Sequence, residues 1–421
     1  MKTQFLHRDN CRLCASRNLE LVVKLAPVPL AEKYTTPGEK DDEEVYPLDV
    51  HMCADCGHVQ LLDVIDSKAL WDDYTYHSGQ TKAIVEHFQE VAERVIEQHR
   101  PPAGGLVIDV GSNDGSLLRP FKERGYRVLG VDPAKEIARK ATASGIETLP
   151  ELMTPELARK IRKDYGPASV VTAFNVFAHA DDMSGMAESI RQLLAPDGVF
   201  LFEAQYLMDI VDKMLLGTMF HEHMSHHSLK PMKSFLERHG MELIDVQRVN
   251  IQKGSIIGTV QLRGGPRKIQ PAVGELLALE AQKKLELPET VRGFAARLEK
   301  NRRRIGELLA KWKSQGAVIA AYGAARSGPT FIVQFGLGDA ISYIFDDHPQ
   351  KVNKLSPGHR IPVVPTEELY QRKPDYVFML AWVHAKKIVA NNRKYLEQGG
   401  HFVILCPDVQ VVDVNSTEPI L

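Results

Sequence analysis

Val107-Ile-Asp-Val-Gly-Ser-Asn-Asp-Gly-Ser-Leu-Leu118 decides the fold of this chain. Val107 to Val110 form a short apolar run ending beside a carboxylate, as a buried strand would. Gly111 to Gly115 form a tight turn, where glycine lets the backbone bend sharply and a ligand approach. Ser116 to Arg124 then start a helix, with Leu117, Leu118 and Phe121 on one face. A second apolar run, Arg127 to Val131, ends in Asp132. That acid lies about twenty residues past the turn, where a carboxylate can accept from ribose hydroxyls.

The turn reads Asp109-x-Gly111-x-x-x-Gly115 and lacks the third glycine of a dinucleotide fingerprint, which leaves NAD as the weaker alternative. With Asp132 it resembles motifs I and II of the class I S-adenosylmethionine (SAM) methyltransferases. SAM has no pyrophosphate to seat on a helix N-terminus, so the missing glycine fits.

The 421 residues are enough for two or three domains. With 52 basic and 54 acidic residues the net charge is −2, so no global field draws in nucleic acid or an anionic membrane. The N-terminus has no apolar signal core and no apolar run approaches the length of a membrane span, which predicts a soluble cytoplasmic protein. Nothing in the sequence fixes its assembly beyond a monomer or small homo-oligomer.

Four of the five cysteines form two pairs, Cys11-Arg-Leu-Cys14 and Cys53-Ala-Asp-Cys56. Paired turns of this kind aim four thiolates at one point, and in a reducing compartment that means structural Zn²⁺ rather than disulfides. His51 and His58 flank the second pair, but four thiolates complete the shell. Cys406 stands alone in an apolar run, as a core residue would. Next comes Trp71-Asp-Asp-Tyr-Thr-Tyr-His77, in which Tyr74 and Tyr76 are either half-buried packing aromatics or site residues. An amphipathic helix is predicted from about Thr81 to His99, and Pro101 to Gly105 is a linker.

From Leu106 the pattern alternates strand and helix: Arg127–Val131, Ala134–Ala143, Ser169–Phe174, Met183–Leu194, Gly198–Glu203, Lys230–His239, Glu242–Val249 and Ser255–Gln261. This predicts a doubly wound sheet closing on an antiparallel hairpin. Ligands of such sheets bind beyond the carboxyl ends of the strands, so Asn175-Val-Phe-Ala-His179 should line the pocket. Later, Met219-Phe-His-Glu-His-Met-Ser-His-His-Ser228 crowds four histidines and a glutamate together. A metal cluster, a solvated loop and a general base held by a neighbouring carboxylate all remain open.

Together, the cysteine pairs, Asp-x-Gly-Ser-Asn-Asp-Gly, Asn-Val-Phe-Ala-His and His-Glu-His resemble the C-methyltransferases of nucleotide-linked 4-keto-deoxyhexoses. The resemblance runs from Cys11 through the C-terminal region. It implies an α/β protein: a class I SAM-methyltransferase Rossmann-like domain (81–268), an N-terminal zinc-binding, substrate-contacting module (1–80) and a C-terminal Rossmann-like domain behind connecting helices (269–421). It implies His223 as base, Glu222 orienting it, and His179, Tyr74 and Tyr76 around the sugar. SAM would be held by Asp109, Gly111, Asn113, Gly115, Asp132, Asn175 and Phe177. The reaction implied is methylation at carbon 3 through an enolate. Two alternatives stand beside it: an O-methyltransferase on a sugar or small acid, and a non-catalytic zinc- or nucleotide-binding module.

Three positions depart from the family. Phe220 replaces a tyrosine before His-Glu-His, Gln252-Lys-Gly-Ser255 replaces His-Gly-Gly-Ser, and Ser327 replaces a lysine. The C-terminal region repeats the strand–glycine turn–strand–acid pattern, in Ala317–Tyr322, Gly323-Ala-Ala-Arg-Ser-Gly328, Ile341–Phe345 and Asp346. In the family this region helps hold the nucleotide end of the substrate, which makes Arg326 and Ser327 candidate substrate contacts, while Phe220 is one at the family's tyrosine position. Leu276, Leu298, Ile305 and Leu309 place connecting helices between Ala272 and Lys313.

Overall fold

The computed structural model describes residues 5–40, 44–66, 70 and 77–416. Tyr74 and Tyr76 lie outside the described residues. The chain divides into two compact units. The first comprises Met1–Glu20, Met52–Met208 and Met224–Pro288; the second comprises Leu21–His51, Asp209–His223 and Glu289–Leu421.

The first unit is built on seven strands: β1 (Leu106–Val110), β2 (Arg127–Val131), β3 (Thr148–Leu149), β4 (Ala168–Phe174), β5 (Leu194–Gln205), β6 (Met241–Val249) and β7 (Ser255–Leu262). Their order in the sheet is β3-β2-β1-β4-β5-β7-β6. β3 through β5 run parallel, and β7 is antiparallel to both β5 and β6. β1 is buried throughout and β4 almost throughout, because helices cover both faces of such a sheet.

Helix α1 (Lys82–His99) buries Ile84, His87, Phe88, Val91 and Val95, a stripe at helical spacing. It packs with Leu117, Leu118 and Phe121 over Val107, Val170 and Leu201. Each large side chain buried there is worth about 2 kcal/mol. α1 ends on Arg100 in the left-handed conformation, just before Pro101 and Pro102, which cannot continue a helix.

β3 and one helix of the first unit have no clear signature in the sequence. β3 has only two residues, too few for a period to show. Helix α2 (Pro155–Tyr165) buries only Leu157, Ala158 and Ile161 among charged neighbours; Thr154 caps it, accepting from the Leu157 amide. The helix expected from Ser116 begins at Leu118, because Asp114 accepts from the Ser116 amide and hydroxyl and holds those residues in the turn.

The second unit has a six-stranded sheet: β8 (Ile319–Tyr322), β9 (Ile344–Phe345), β10 (Val363–Val364), β11 (Tyr376–Met379), β12 (His401–Ile404) and β13 (Gln410–Val412). The order is β10-β9-β8-β11-β12-β13, parallel except for the β12–β13 pair. The connecting helices are Pro271–Gln282 and Pro288–Ser314. Among the described residues, no helix is long and apolar enough to cross a membrane.

Candidate methyltransferase site

The four expected zinc ligands come together in the first unit. The sulfurs of Cys11, Cys14, Cys53 and Cys56 all lie within 4.8 Å of one another, with Cys11–Cys56 at 3.6 Å and Cys14–Cys53 at 3.5 Å. A tetrahedral Zn²⁺ with bonds of about 2.3 Å needs sulfurs about 3.8 Å apart, so the set fits. Both loops close alike. Ala15 and Gly57, each following the second cysteine of its pair, have φ of 61° and 80°. Their amides donate to the carbonyls of Cys11 and Cys53 at 2.9 and 2.8 Å. The contact with Cys56 draws the Cys11 pKa down to about 5, toward the thiolate a metal requires.

At the carboxyl ends of β1, β2 and β4 the glycine turn takes the expected form. Gly111 and Gly115 have φ of 72° and 78°. A Cβ on Gly111 would collide with the Val176 side chain, and one on Gly115 would lie 2.8 Å from Ile146. Asp132 accepts from the Asn113 amide at 2.8 Å and from the Ala134 amide at 2.9 Å. The carboxylate therefore ties the second strand to the turn. Asn113 accepts through its side-chain oxygen from the Ser78 amide at 3.0 Å. Asp109 is buried and accepts from the Thr172 hydroxyl at 2.6 Å; burial pushes its pKa up to about 7. A glycine turn that lets a ligand approach and a strand-end acid able to accept from ribose hydroxyls suit a nucleoside cofactor, and the residues present fit SAM.

Asn175 sits past β4 at φ 57°, and its side-chain amide donates to Glu203 at 3.0 Å. Glu203 is fully buried and also accepts from His87 Nε2 at 2.5 Å. Neither Glu203 nor His87 was singled out in the sequence. The signal was there, in a carboxylate ending an apolar strand and a histidine within the apolar stripe of α1. Phe177 is fully buried against Phe200 and Phe202, each with ring centroids 5.6 Å away. Its side chain fills the core. His179 is partly buried in the same turn. Asp181, two residues on, accepts from Arg8 at 2.9 Å and from Arg12 at 3.1 Å. Arg12 stands between the first pair of cysteines, so the thiolate module is tied directly to the His179 turn.

The histidine-rich segment splits between the units. Met224–Ser228 belongs to the first, where Ser225–His226 pairs with Val59–Leu61. His227 stacks on His58 with centroids 5.5 Å apart, and burial draws the pKa of His227 down to about 4. His221 and His223 belong to the second unit. Among the described residues the group able to hold a metal is the four cysteines, so the metal-cluster alternative for these histidines falls.

In the second unit, His223 Nδ1 lies 2.7 Å from the Thr218 carbonyl, and its ring packs on Phe220 at 4.0 Å. We expected Glu222 to orient this ring. Instead the carboxylate accepts from Arg326, and the Thr218 carbonyl holds the imidazole, because consecutive side chains in this bend diverge. Glu222 is buried, and burial raises its pKa against the opposing pull of Arg326. Arg326 also faces Glu32, which Lys351 approaches at 3.1 Å. A substrate diphosphate would have to compete with both carboxylates for this guanidinium. Ser327 is buried at the start of the helix Gly328–Gln334.

C-methyltransferase NovU of Streptomyces niveus is 34% identical over 413 residues, covering 97% of this chain and 98% of the relative. The chain belongs to the C-methyltransferase family. Its parts match a zinc binding domain family over residues 11–71, a methyltransferase domain family over 84–246 and a C-methyltransferase C-terminal domain family over 250–407. Nocamycin O-methyltransferase of Saccharothrix syringae is 32% identical over 119 residues, covering 27% of this chain and 42% of that protein. Among solved structures, the PH0226 protein of Pyrococcus horikoshii aligns with a TM-score of 0.38 and 14% identity, over 47% of this chain and 99% of its own. This C-methyltransferase is a SAM-dependent enzyme with a class I methyltransferase sheet and a zinc-binding cysteine cluster.

Proposed function

We propose that this C-methyltransferase acts on carbon 3 of a nucleotide-linked 4-keto-deoxyhexose, with His223 as the base, in branched deoxysugar formation in the cytoplasm. The observation that carries the reading is the Nδ1 contact of His223 with the Thr218 carbonyl, at 2.7 Å. A carbonyl only accepts, so the ring proton sits on Nδ1 and the lone pair on Nε2. In the neutral ring a proton is then taken up at Nε2.

The carbonyl at carbon 4 acidifies the hydrogen on carbon 3. His223 Nε2 removes it, and the electron pair delocalises into the carbonyl as an enolate. SAM supplies the electrophilic methyl group that carbon 3 then takes. Donors around the sugar, His179 with Tyr74 and Tyr76, stabilise the enolate oxygen. Phe220 packs on the base and keeps water from it, which matters because a waiting enolate reprotonates. Asp132 and the Gly111–Gly115 turn hold the nucleoside of SAM, with Asp109 bracing the first strand. The reading divides the chain at 1–80, 81–268 and 269–421.

The test is His223→Ala. SAM affinity by calorimetry should stay near wild type, while turnover falls by roughly two to four powers of ten. Near-full turnover would remove His223 from the base role. Solvent deuterium should also enter carbon 3 in the absence of SAM, and no exchange would count against a separate enolate.

A further inference from the structure

We infer that the C-terminal Rossmann-like body carries and aims the base, with Arg326, through Glu222, and Thr330, through the Met219 carbonyl, as positioning residues for His223. This rests on the proposed role of His223. The segment Asp209–His223 lies between two strands of the methyltransferase sheet in sequence, yet it belongs to the same compact unit as Glu289–Leu421.

Four ties fasten it there. Arg297 donates to the carbonyls of Val211 and Asp212, at 3.2 and 3.1 Å. Gly217 lies flat against Trp382, so closely that a Cβ would collide with the indole. The buried Thr330 hydroxyl donates to the Met219 carbonyl at 2.9 Å. Arg326 pairs with Glu222.

The consequence follows from chain order. The carbonyl that accepts from His223 belongs to Thr218, and its neighbours Gly217 and Met219 are both anchored. On the far side, Glu222 adjoins the histidine itself. The ring is thus held from both ends by one body. Glu222 has no solvent to satisfy it once Arg326 is gone, so the bend would have to reopen to rehydrate it. Glu32, itself paired with Lys351 at 3.1 Å, backs the guanidinium from the other side, 3.6 Å from Arg326 Nε.

The experiment uses the full-length, zinc-loaded enzyme with 15N-labelled histidine. The Nδ1–H resonance of His223 is identified by its loss in His223→Ala. In Arg326→Met this resonance should broaden into solvent exchange. Turnover should fall ten- to a hundredfold, with the KM values for SAM and sugar substrate within twofold of wild type. Thr330→Val, nearly isosteric, should reproduce the change in weaker form, and Arg326→Lys should restore part of it. Glu222→Gln combined with Arg326→Met should cost no more than Arg326→Met alone.

An unchanged Nδ1–H resonance in both Arg326→Met and Thr330→Val would overturn the inference. So would a tenfold rise in substrate KM at unchanged kcat in Arg326→Met, which would put the guanidinium on the substrate. The resonance reports ring position whether or not His223 is the base. Failure of the base assignment would appear separately, as retained turnover in His223→Ala.

Discussion

The two parallel sheets of this chain are latched in the same way. In the first, Gly111 follows β1, its amide donates to the Val131 carbonyl at 2.7 Å, and Asp132 reaches back to the Asn113 amide. In the second, Gly323 follows β8, its amide donates to the Phe345 carbonyl at 2.8 Å, and Asp346 accepts from the Ala324 amide at 2.6 Å. Each aspartate also accepts from the amide two residues on, Ala134 or His348. Each glycine leaves no room for a Cβ, against Val176 or Ala381 in the turn past the neighbouring strand.

The difference lies in what the latch supports. Past β4 the turn is pinned by a buried carboxylate, Glu203, shared by Asn175 and His87. Past β11 the main chain suffices, as the Leu380 and Ala381 amides donate to the Tyr322 carbonyl. The second turn also carries Arg326, which is engaged by the protein's own Glu222. The glycine–acid latch is therefore a device of the strand–turn–strand unit. What differs is the groups attached to it: in the first body a turn whose residues fit SAM, in the second the segment that carries His223.

The strongest challenge to this contrast is the pair Gly111→Ala and Gly323→Ala. Both residues have positive φ, 72° and 96°. Left-handed strain and overpacking should cost each variant about 3 kcal/mol in denaturant unfolding. Only Gly111→Ala should also lose SAM binding in calorimetry, and an equal loss in Gly323→Ala would erase the distinction. Next in size, Glu203→Gln should cost about 2 kcal/mol and weaken SAM several-fold, because a buried charge-assisted acceptor is lost beneath the cofactor turn.

Asp132→Asn and Asp346→Asn should each destabilise by about 1–2 kcal/mol, since an amide group cannot accept at both oxygens. SAM affinity should fall about tenfold in the first and stay unchanged in the second.

The smallest effect is the pH slope above pH 7. Asp109 in the folded chain has its pKa raised from 3.8 to about 7 by burial. The native state then holds a proton that the unfolded chain releases, so stability is greatest below the ordinary value and falls as pH rises toward 7. Between pH 7 and 8 the remaining loss is roughly 0.4 kcal/mol, and it is steeper below pH 7. Subtracting the unfolding curve of Asp109→Asn from that of wild type should isolate it.

The legible parts of the molecule were those whose chemistry is local. Cys11, Cys14, Cys53 and Cys56 announce a metal because their spacing fixes the knuckle. Gly111, Gly115 and Asp132 announce a nucleoside turn because one strand, one bend and one strand suffice to place them. The closing hairpin of β6 and β7 was visible for the same reason.

Tertiary structure alone decided which side chain holds which. Glu222 and Arg326 are 104 residues apart in sequence, and His87 and Glu203 are 116 apart. A buried charge finds its partner through the folding of whole domains, and no pattern within either segment records that choice. By itself the sequence determined the cysteine knuckles, the doubly wound sheet and the glycine turn, each set by short-range backbone geometry. Packing determined that Asp209–His223 leaves the sheet from which it emerges and joins the unit of the C-terminal body, because Arg297, Arg326, Thr330 and Trp382 anchor it from there.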